Sequence, residues 1–317
     1  MNPSRLILNI TQGMTTTQQY KAWKFPGGEI HFKLSEEFMD QLTMSDLNDP
    51  ITIVTRINSS DDLIFLLLMV DTITSNWSNP VLVYLPYMPY QQADRNFSEG
   101  ECFSLKTICD ILLSSPIYAF KVFDPHSDVT PALLKRCEVV DNSEFIRACF
   151  NMLSVNKNSL HRKDVWTPDN NLVILSPDAG AYKKIFKLCE KLGFKGEIEN
   201  ANKYRDIKDG SLQIRLSRED FGGKDILIID DICIGGRTFI ELSKALDTRN
   251  VGSKYLAVSH GIFSNGLDGL AKCFNNIFTT NSRRASYVDL VQDLYDKHLK
   301  DLPNNREIFN VHVFEVI

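Results

Sequence analysis

Apolar residues along this chain come in short unbroken runs, each followed by a polar turn and then, in most cases, by a stretch in which they recur at every third or fourth position. The unbroken runs suit strands buried on both faces of a parallel sheet, and the spaced ones suit core-facing helix stripes. Leu6 to Ile10 reads as a first strand, with a polar loop over Thr11 to Thr17. Ile51 to Val54 is a strand joined by a loop to a helix over Leu63 to Ile73, and Val81 to Leu85 is another strand. A helix at about Leu105 to Leu113 and a strand over Tyr118 to Phe123 follow. From Leu133 to about Asp169 the period is lost around a polar middle, Asn156-Lys157-Asn158-Ser159, and a domain crossing is expected there. The alternation restarts with Leu172 to Leu175, a helix from about Ala181 to Leu192, and strands from Ile226 and from Lys254; the last strand is Phe309 to Val316. Successive strand–loop–helix units in both halves imply a duplicated α/β architecture, with domains at 1–150 and 151–317.

The stretch with the most chemistry is Ile226-Leu227-Ile228-Ile229-Asp230-Asp231-Ile232-Cys233-Ile234-Gly235-Gly236-Arg237-Thr238. A buried strand ending in two acids delivers both carboxylates to the carboxyl rim of a sheet, where open α/β sheets bind ligands. Gly235 and Gly236 let backbone N–H groups approach an anion, and Thr238 opens a helical pattern through Leu246 whose N-terminus carries partial positive charge. The combination suits a sugar phosphate, with the acids on hydroxyls and the turn on phosphate. Two other readings share the pattern: the metal-binding strand of a P-loop NTPase, and a plain strand ending in a solvated acidic turn. The first needs a Gly-x-x-x-x-Gly-Lys-Ser/Thr loop, which the chain lacks.

With 317 residues, 43% of them hydrophobic, the chain is long for one domain. A net charge of −5 argues against nucleic-acid binding, so anionic substrates must be met by local cations or metal ions. The seven cysteines form no C-x-x-C pair and read as reduced core residues of a cytoplasmic protein. The longest apolar run, Leu63 to Val70, is too short to span a bilayer, and the N-terminus has no signal-peptide pattern, so no membrane partner is expected.

Several loops sharpen this picture by resemblance. The turn after the two acids resembles the phosphoribosyl-diphosphate loop of type I phosphoribosyltransferases and of ribose-phosphate pyrophosphokinases, although Ile234 and Arg237 depart from the usual Asp-Thr-Gly-Gly-Thr. Ser176-Pro177-Asp178-Ala179-Gly180 is similar to the family's pyrophosphate loop; by itself it is also a helix N-cap segment. Phe25-Pro26-Gly27-Gly28-Glu29, otherwise a turn into a strand, resembles the pyrophosphokinase Phe-Pro/Ser-Asp-Gly-Glu stretch, with Gly27 where an acid is usual. Pro89-Tyr90-Gln91-Gln92-Ala93-Asp94-Arg95 resembles the ATP loop Pro-Tyr-x-Arg-Gln-Asp-Arg, with Gln92 and Ala93 replacing the arginine and glutamine. His126, in a turn after a strand, is placed like the histidine of the family's Asp-Leu-His-Ala turn. Lys203 and Arg205 sit in a polar segment that reads as a solvated hairpin loop, yet their order resembles the Lys-x-Arg of the family's catalytic loop. Ser259-His260-Gly261-Ile262-Phe263-Ser264 is much like its Thr-His-Gly-x-Phe-Ser.

The resemblance implies two tandem phosphoribosyltransferase-like domains, each a mostly parallel sheet flanked by helices. The implied activity is a ribose-phosphate diphosphokinase using ATP, ribose 5-phosphate and Mg²⁺, and the implied assembly is a homo-oligomer, dimer or hexamer. Catalytic roles would fall to Lys203, Arg205 and His126, and nucleotide binding to Phe25, Glu29, Gln92, Asp94 and Arg95. Ribose 5-phosphate would sit on Asp230, Asp231, Gly235, Gly236, Arg237 and Thr238, and pyrophosphate on Asp178, Ala179 and Gly180, with His126 and Asp178 on the metal. Two other readings remain: a phosphoribosyltransferase that consumes phosphoribosyl diphosphate, and a non-catalytic partner that regulates a synthetase.

Overall fold

A computed structural model describes residues 6–158, 167–205, 212–284, 287–294 and 310–316. The chain divides into two compact units, one running to Asp141 and the other from Asn142 to Asn281 with later segments. In the first unit, in chain order, are β1 (Ile7–Asn9), β2 (Tyr20–Lys24), β3 (Ile30–Leu34), α1 (Glu36–Met44), β4 (Ile51–Val54), α2 (Ser60–Trp77), β5 (Val81–Leu85), α3 (Ser104–Leu113), β6 (Ile117–Phe123), α4 (Val129–Leu133) and β7 (Cys137–Val140). The second holds α5 (Ser143–Asn158), α6 (Pro168–Asn171), β8 (Leu172–Ser176), α7 (Ala179–Leu192), β9 (Glu197–Arg205), β10 (Leu212–Leu216), β11 (Asp225–Cys233), α8 (Arg237–Leu246), β12 (Lys254–Gly261), α9 (Asp268–Ala271), β13 (Asn276–Thr280), α10 (Val288–Leu294) and β14 (Asn310–Phe314).

The first unit has a parallel sheet in the order β1-β4-β5-β6-β7 and a separate antiparallel hairpin, β2-β3. The second has a sheet in the order β10-β9-β8-β11-β12-β13-β14, parallel except where β10 meets β9. Both units are therefore α/β with parallel sheets and crossover helices.

Why the strands read as unbroken apolar runs is visible in the second unit. Leu172, Ile174, Leu227 and Ile229 pack with Phe145, Ile146 and Cys149 of α5 and with Ile185 and Leu188 of α7. Their neighbours Val173, Leu175, Ile226 and Ile228 pack with Phe239, Leu242 and Leu246 of α8. Alternate residues thus enter opposite hydrophobic layers, and no position on these strands is left for a polar residue until the sheet's edge. In the first unit, Leu63 to Val70 lies inside α2, with Phe65, Leu66, Met69 and Val70 in the core. Among the described residues no helix is long and apolar enough to cross a membrane.

The structure differs from the sequence reading between Leu133 and Asp169, which holds β7 and the 16-residue helix α5. Its core stripe, Phe145, Ile146, Cys149 and Leu153, has helical spacing, but Phe150 and Met152 are only partly buried and Val155 is exposed, which blurs the period. The end of α5 is pinned at the amino edge of the sheet. Lys157 Nζ donates to Ser253 Oγ at 2.9 Å, lies 3.3 Å from Asp225 Oδ2 and sits 5.7 Å from the Tyr255 ring centroid. Asp225 also accepts from the Ser253 backbone N–H at 2.8 Å.

Removing one partner of such a buried pair leaves the other charge uncompensated. Lys157→Met is expected to cost about 3 kcal/mol in urea-induced unfolding, and the double variant Lys157→Met/Asp225→Asn less than that. An unchanged midpoint in the single variant would contradict the pinning.

Candidate active site

In the second unit, β8 and β11 run side by side, with Leu175 in register with Ile228, so the residues that follow them emerge at the same carboxyl edge. Asp178 follows β8, and Asp230 and Asp231 lie in the carboxyl half of β11, ahead of Ile232 and Cys233. Asp178 caps α7, accepting from Ala181 N–H at 3.0 Å, while Ser176 Oγ donates to the Asp178 carbonyl at 2.7 Å. The Asp231 N–H donates to Asp230 Oδ1 at 2.9 Å.

The electrostatics of this edge are one-sided. Burial first, and then the neighbouring charge of Asp231, push the Asp230 carboxyl well above its ordinary range; Asp178 adds to the push. A carboxylate with acids on both sides calls for a cation or for hydroxyl donors from a ligand. Among the described residues no three His, Cys, Asp or Glu side chains cluster as a ready metal centre. A divalent ion fits here as Mg²⁺ is commonly held, by one or two carboxylates together with substrate phosphates. The Cys233 thiol is pushed up to about 12 by burial and by Asp230, so it is protonated at neutral pH and no nucleophile.

From β11 the chain turns through Ile234 and Gly235 into α8. Asn265 Nδ2 donates to the Gly235 carbonyl at 3.2 Å, and Ser264 N–H donates to the Ile234 carbonyl at 2.9 Å, so the segment after β12 supports the turn. Gly236 caps the helix with φ of 79°, a left-handed conformation that a side chain would strain, and a Cβ there would lie 3.1 Å from Leu270. Helices α1 and α2 begin with acids and with serine caps. Helix α8 has neither a side-chain cap nor an acid in its first turn, and Arg237, exposed, is its first residue. That leaves the positive end of the helix dipole facing outward with an added cation.

In the first unit, the loops after β5 and β6 lock together. Gln91 is fully buried and its Oε1 accepts the His126 backbone N–H at 3.0 Å. Asp94 is buried, takes two bonds from Arg95 at 2.8 and 3.0 Å, and is held low first by Arg95 and then by the Ser127 hydroxyl. The His126 and Gln92 residues themselves are exposed. Phe25 is exposed on the β2–β3 hairpin, 5.2 Å from His31 between ring centroids. Beside it, Glu29 Oε2 lies 2.5 Å from where a Cβ at Gly27 would be, so the Glu29 carboxylate fills space that a side chain at 27 would take.

The structure thus brings Asp178, Ala179, Gly180, Asp230, Asp231, Gly235, Gly236, Arg237 and Thr238 to one edge of the second unit. His126, Asp94, Arg95 and Gln92 gather on two adjoining loops of the first. Lys203 and Arg205 fall at the end of β9, facing β10 across an antiparallel hairpin; their side chains lie outside the described residues. Sequence reasoning missed Gln91. Its only signal was position, between exposed Tyr90 and exposed Gln92, and residue type alone does not reveal that phase.

The ribose-phosphate pyrophosphokinases of Sulfurisphaera tokodaii and Pyrococcus abyssi are each 26% identical to this chain, over 81% and 86% of it and 82% and 89% of their own lengths. A solved structure, the phosphoribosylpyrophosphate synthetase of Mycobacterium smegmatis, shares the fold with a TM-score of 0.68 over 98% of this chain and 95% of that one, at 16% identity. By sequence the chain is similar to ribose-phosphate pyrophosphokinases, and by fold to a phosphoribosylpyrophosphate synthetase. No family model matches the sequence. The fold comparison accounts for the doubled architecture: two tandem phosphoribosyltransferase-like domains, each built on a mostly parallel sheet.

The crowded carboxylates have a stability consequence. Because the folded-state pKa of Asp230 is raised above the ordinary 3.8, ionising it works against folding, increasingly so as pH rises from about 4. Asp230→Asn should therefore raise the thermal midpoint at pH 7 by about 2–4 °C, on the order of 1 kcal/mol, with the gain fading toward pH 4. A midpoint at pH 7 that stays or falls would contradict the one-sided electrostatics.

Proposed function

We propose that this chain is a ribose-phosphate diphosphokinase that converts ATP and ribose 5-phosphate into phosphoribosyl diphosphate and AMP. The observation that carries the reading is a pair of acids in the last part of a buried strand, followed after a short turn by a helix with no side-chain cap. Acids for vicinal hydroxyls and a helix start for a dianion are the two halves of a sugar-phosphate site. The family relationship supports the same substrates.

In this reading Asp230 and Asp231 accept hydrogen bonds from the ribose hydroxyls. Gly235, Gly236, Arg237 and Thr238 surround the 5-phosphate, and the loop from Asp178 to Gly180 takes the diphosphoryl group that is transferred. Phe25 stacks on the base and Glu29, Gln92 and Arg95 line the nucleotide, with Asp94 orienting Arg95. The C1 hydroxyl oxygen forms a bond to the β-phosphorus, the bond from that phosphorus to the α,β-bridging oxygen breaks, and AMP leaves with that oxygen. The hydroxyl proton goes to solvent. Lys203 and Arg205 neutralise charge that develops on the transferring phosphoryl oxygens. Mg²⁺ bound with the nucleotide would supply further charge neutralisation, with His126 as a candidate ligand in the first unit and Asp178 as a candidate ligand in the second. A homo-oligomer is part of the same proposal.

Incubation with ATP, Mg²⁺ and ribose 5-phosphate should release AMP in proportion to phosphoribosyl diphosphate; no AMP would return the chain to the phosphoribosyltransferase or regulatory-partner reading. Lys203→Ala or Arg205→Ala should lower kcat and kcat/KM together by about 100-fold, with ATP binding nearly intact. Wild-type kcat in either variant would make that hairpin a solvated loop.

Arg237 offers a separate test, since it stands at the first helical position of α8 and is exposed. Arg237→Ala should raise KM for ribose 5-phosphate about tenfold and leave KM for ATP nearly unchanged. An equal effect on both substrates, or none, would remove Arg237 from the phosphate site.

A further inference from the structure

The turn that presents His126 is held in place by another loop. Asp124, two residues earlier, is buried with φ of 41°, and its N–H donates to the Val140 carbonyl at 2.8 Å. Tyr90, beside Gln91 in the loop after β5, also has positive φ, 58°. Left-handed backbone at non-glycine residues persists only where surrounding contacts hold it. One contact joining these two loops is the hydrogen bond from His126 N–H to Gln91 Oε1, 3.0 Å long, made by a side chain with no exposed surface. Only the amide oxygen can accept from an N–H, so the orientation of the Gln91 amide is settled by its partner. Its Nε2 is buried without a hydrogen-bond partner among the described residues. Retaining a buried amide with one end unsatisfied is unfavourable, and an apolar side chain of like volume would fill the space without that cost.

We infer that Gln91 is a positioning residue that sets the His126 turn, and through it the place of the exposed imidazole, for contact with the nucleotide phosphates. Gln91 acts through His126 and does not touch substrate. A second tie works beside it, since the Ser127 hydroxyl bonds to Asp94, which Arg95 holds from its other side. The two loops then behave as one rigid unit at the carboxyl edge of the first sheet, and Gln91 ties them from a side chain with no exposed surface. This inference rests on the proposed role of His126 in the diphosphokinase reaction. The geometry of the tie itself does not.

The test uses the full chain and two variants, Gln91→Leu, which cannot accept a hydrogen bond, and Gln91→Glu, which keeps an acceptor. In the wild type, the His126 amide should exchange with solvent at least 100-fold more slowly than in a free peptide although the residue is exposed. Exchange at the free-peptide rate would overturn the inference whether or not any variant folds. Gln91→Leu should lose that protection and lower kcat about tenfold or more while KM for ribose 5-phosphate stays put; Gln91→Glu should keep the protection and most of kcat. A folded Gln91→Leu chain with wild-type kcat, or with its whole loss in the ribose 5-phosphate KM, would also overturn it. If the wild type makes no AMP, the functional reading fails by itself, and the inference is then read from Mg·ADP affinity. A tenfold weakening in Gln91→Leu upholds it, and an unchanged affinity overturns it.

Discussion

A strand that carries apolar residues toward two opposite helical layers leaves carboxylates to its outer parts, and near the carboxyl end of β11 it places two of them beside a third. The ionised form of Asp230 is opposed by burial and by both neighbours, so this edge of the second unit favours a proton, a cation or hydroxyl donors beside it. The rest of the site follows from that constraint. The glycine-capped start of α8, with no acid in its first turn, is the complementary feature that suits an anion within the same segment of chain. A ligand bearing vicinal hydroxyls and a phosphate answers both demands at once, and a plain phosphate or a plain sugar answers only one.

The two units use the same architecture for different tasks. In both, parallel strands covered by helices send their chemistry to the carboxyl edge. The second unit gathers buried acids there, near a helix start that has no side-chain cap. The first neutralises its acid internally, by pairing Asp94 with Arg95, and spends its buried polar contacts on holding two loops together. Such a division suits a diphosphoryl transfer, which asks little covalent chemistry of the protein and much positioning and charge neutralisation.

How much of this was legible in the sequence depended on whether a physical pattern repeats in the residues. Strands β8, β11 and β12 were legible because burial on both faces gives unbroken apolar runs, and the acids and glycines at their ends stand out against those runs. Helix α5 was not, because Val155 is exposed and Phe150 and Met152 are only partly buried, leaving its stripe without a clean period. Within the loop after β5, Gln92 attracted notice as a replaced family residue, whereas Gln91 is the one that turns inward. The phase of an irregular loop is decided by backbone angles such as the positive φ of Tyr90, and side-chain type carries no trace of them.

The most direct test of the central claim is a calorimetric comparison of ribose 5-phosphate with inorganic phosphate, both titrated into the wild-type chain and into Asp231→Asn. If the strand-end acids hold the sugar while the α8 turn holds the phosphate, ribose 5-phosphate binds the wild type at least tenfold more tightly than phosphate does, a gap of about 1.4 kcal/mol or more. Asp231→Asn then narrows that gap by weakening the sugar phosphate and leaving phosphate affinity unchanged. Equal affinities for the two ligands in the wild type, or a gap that Asp231→Asn leaves intact, would contradict the account.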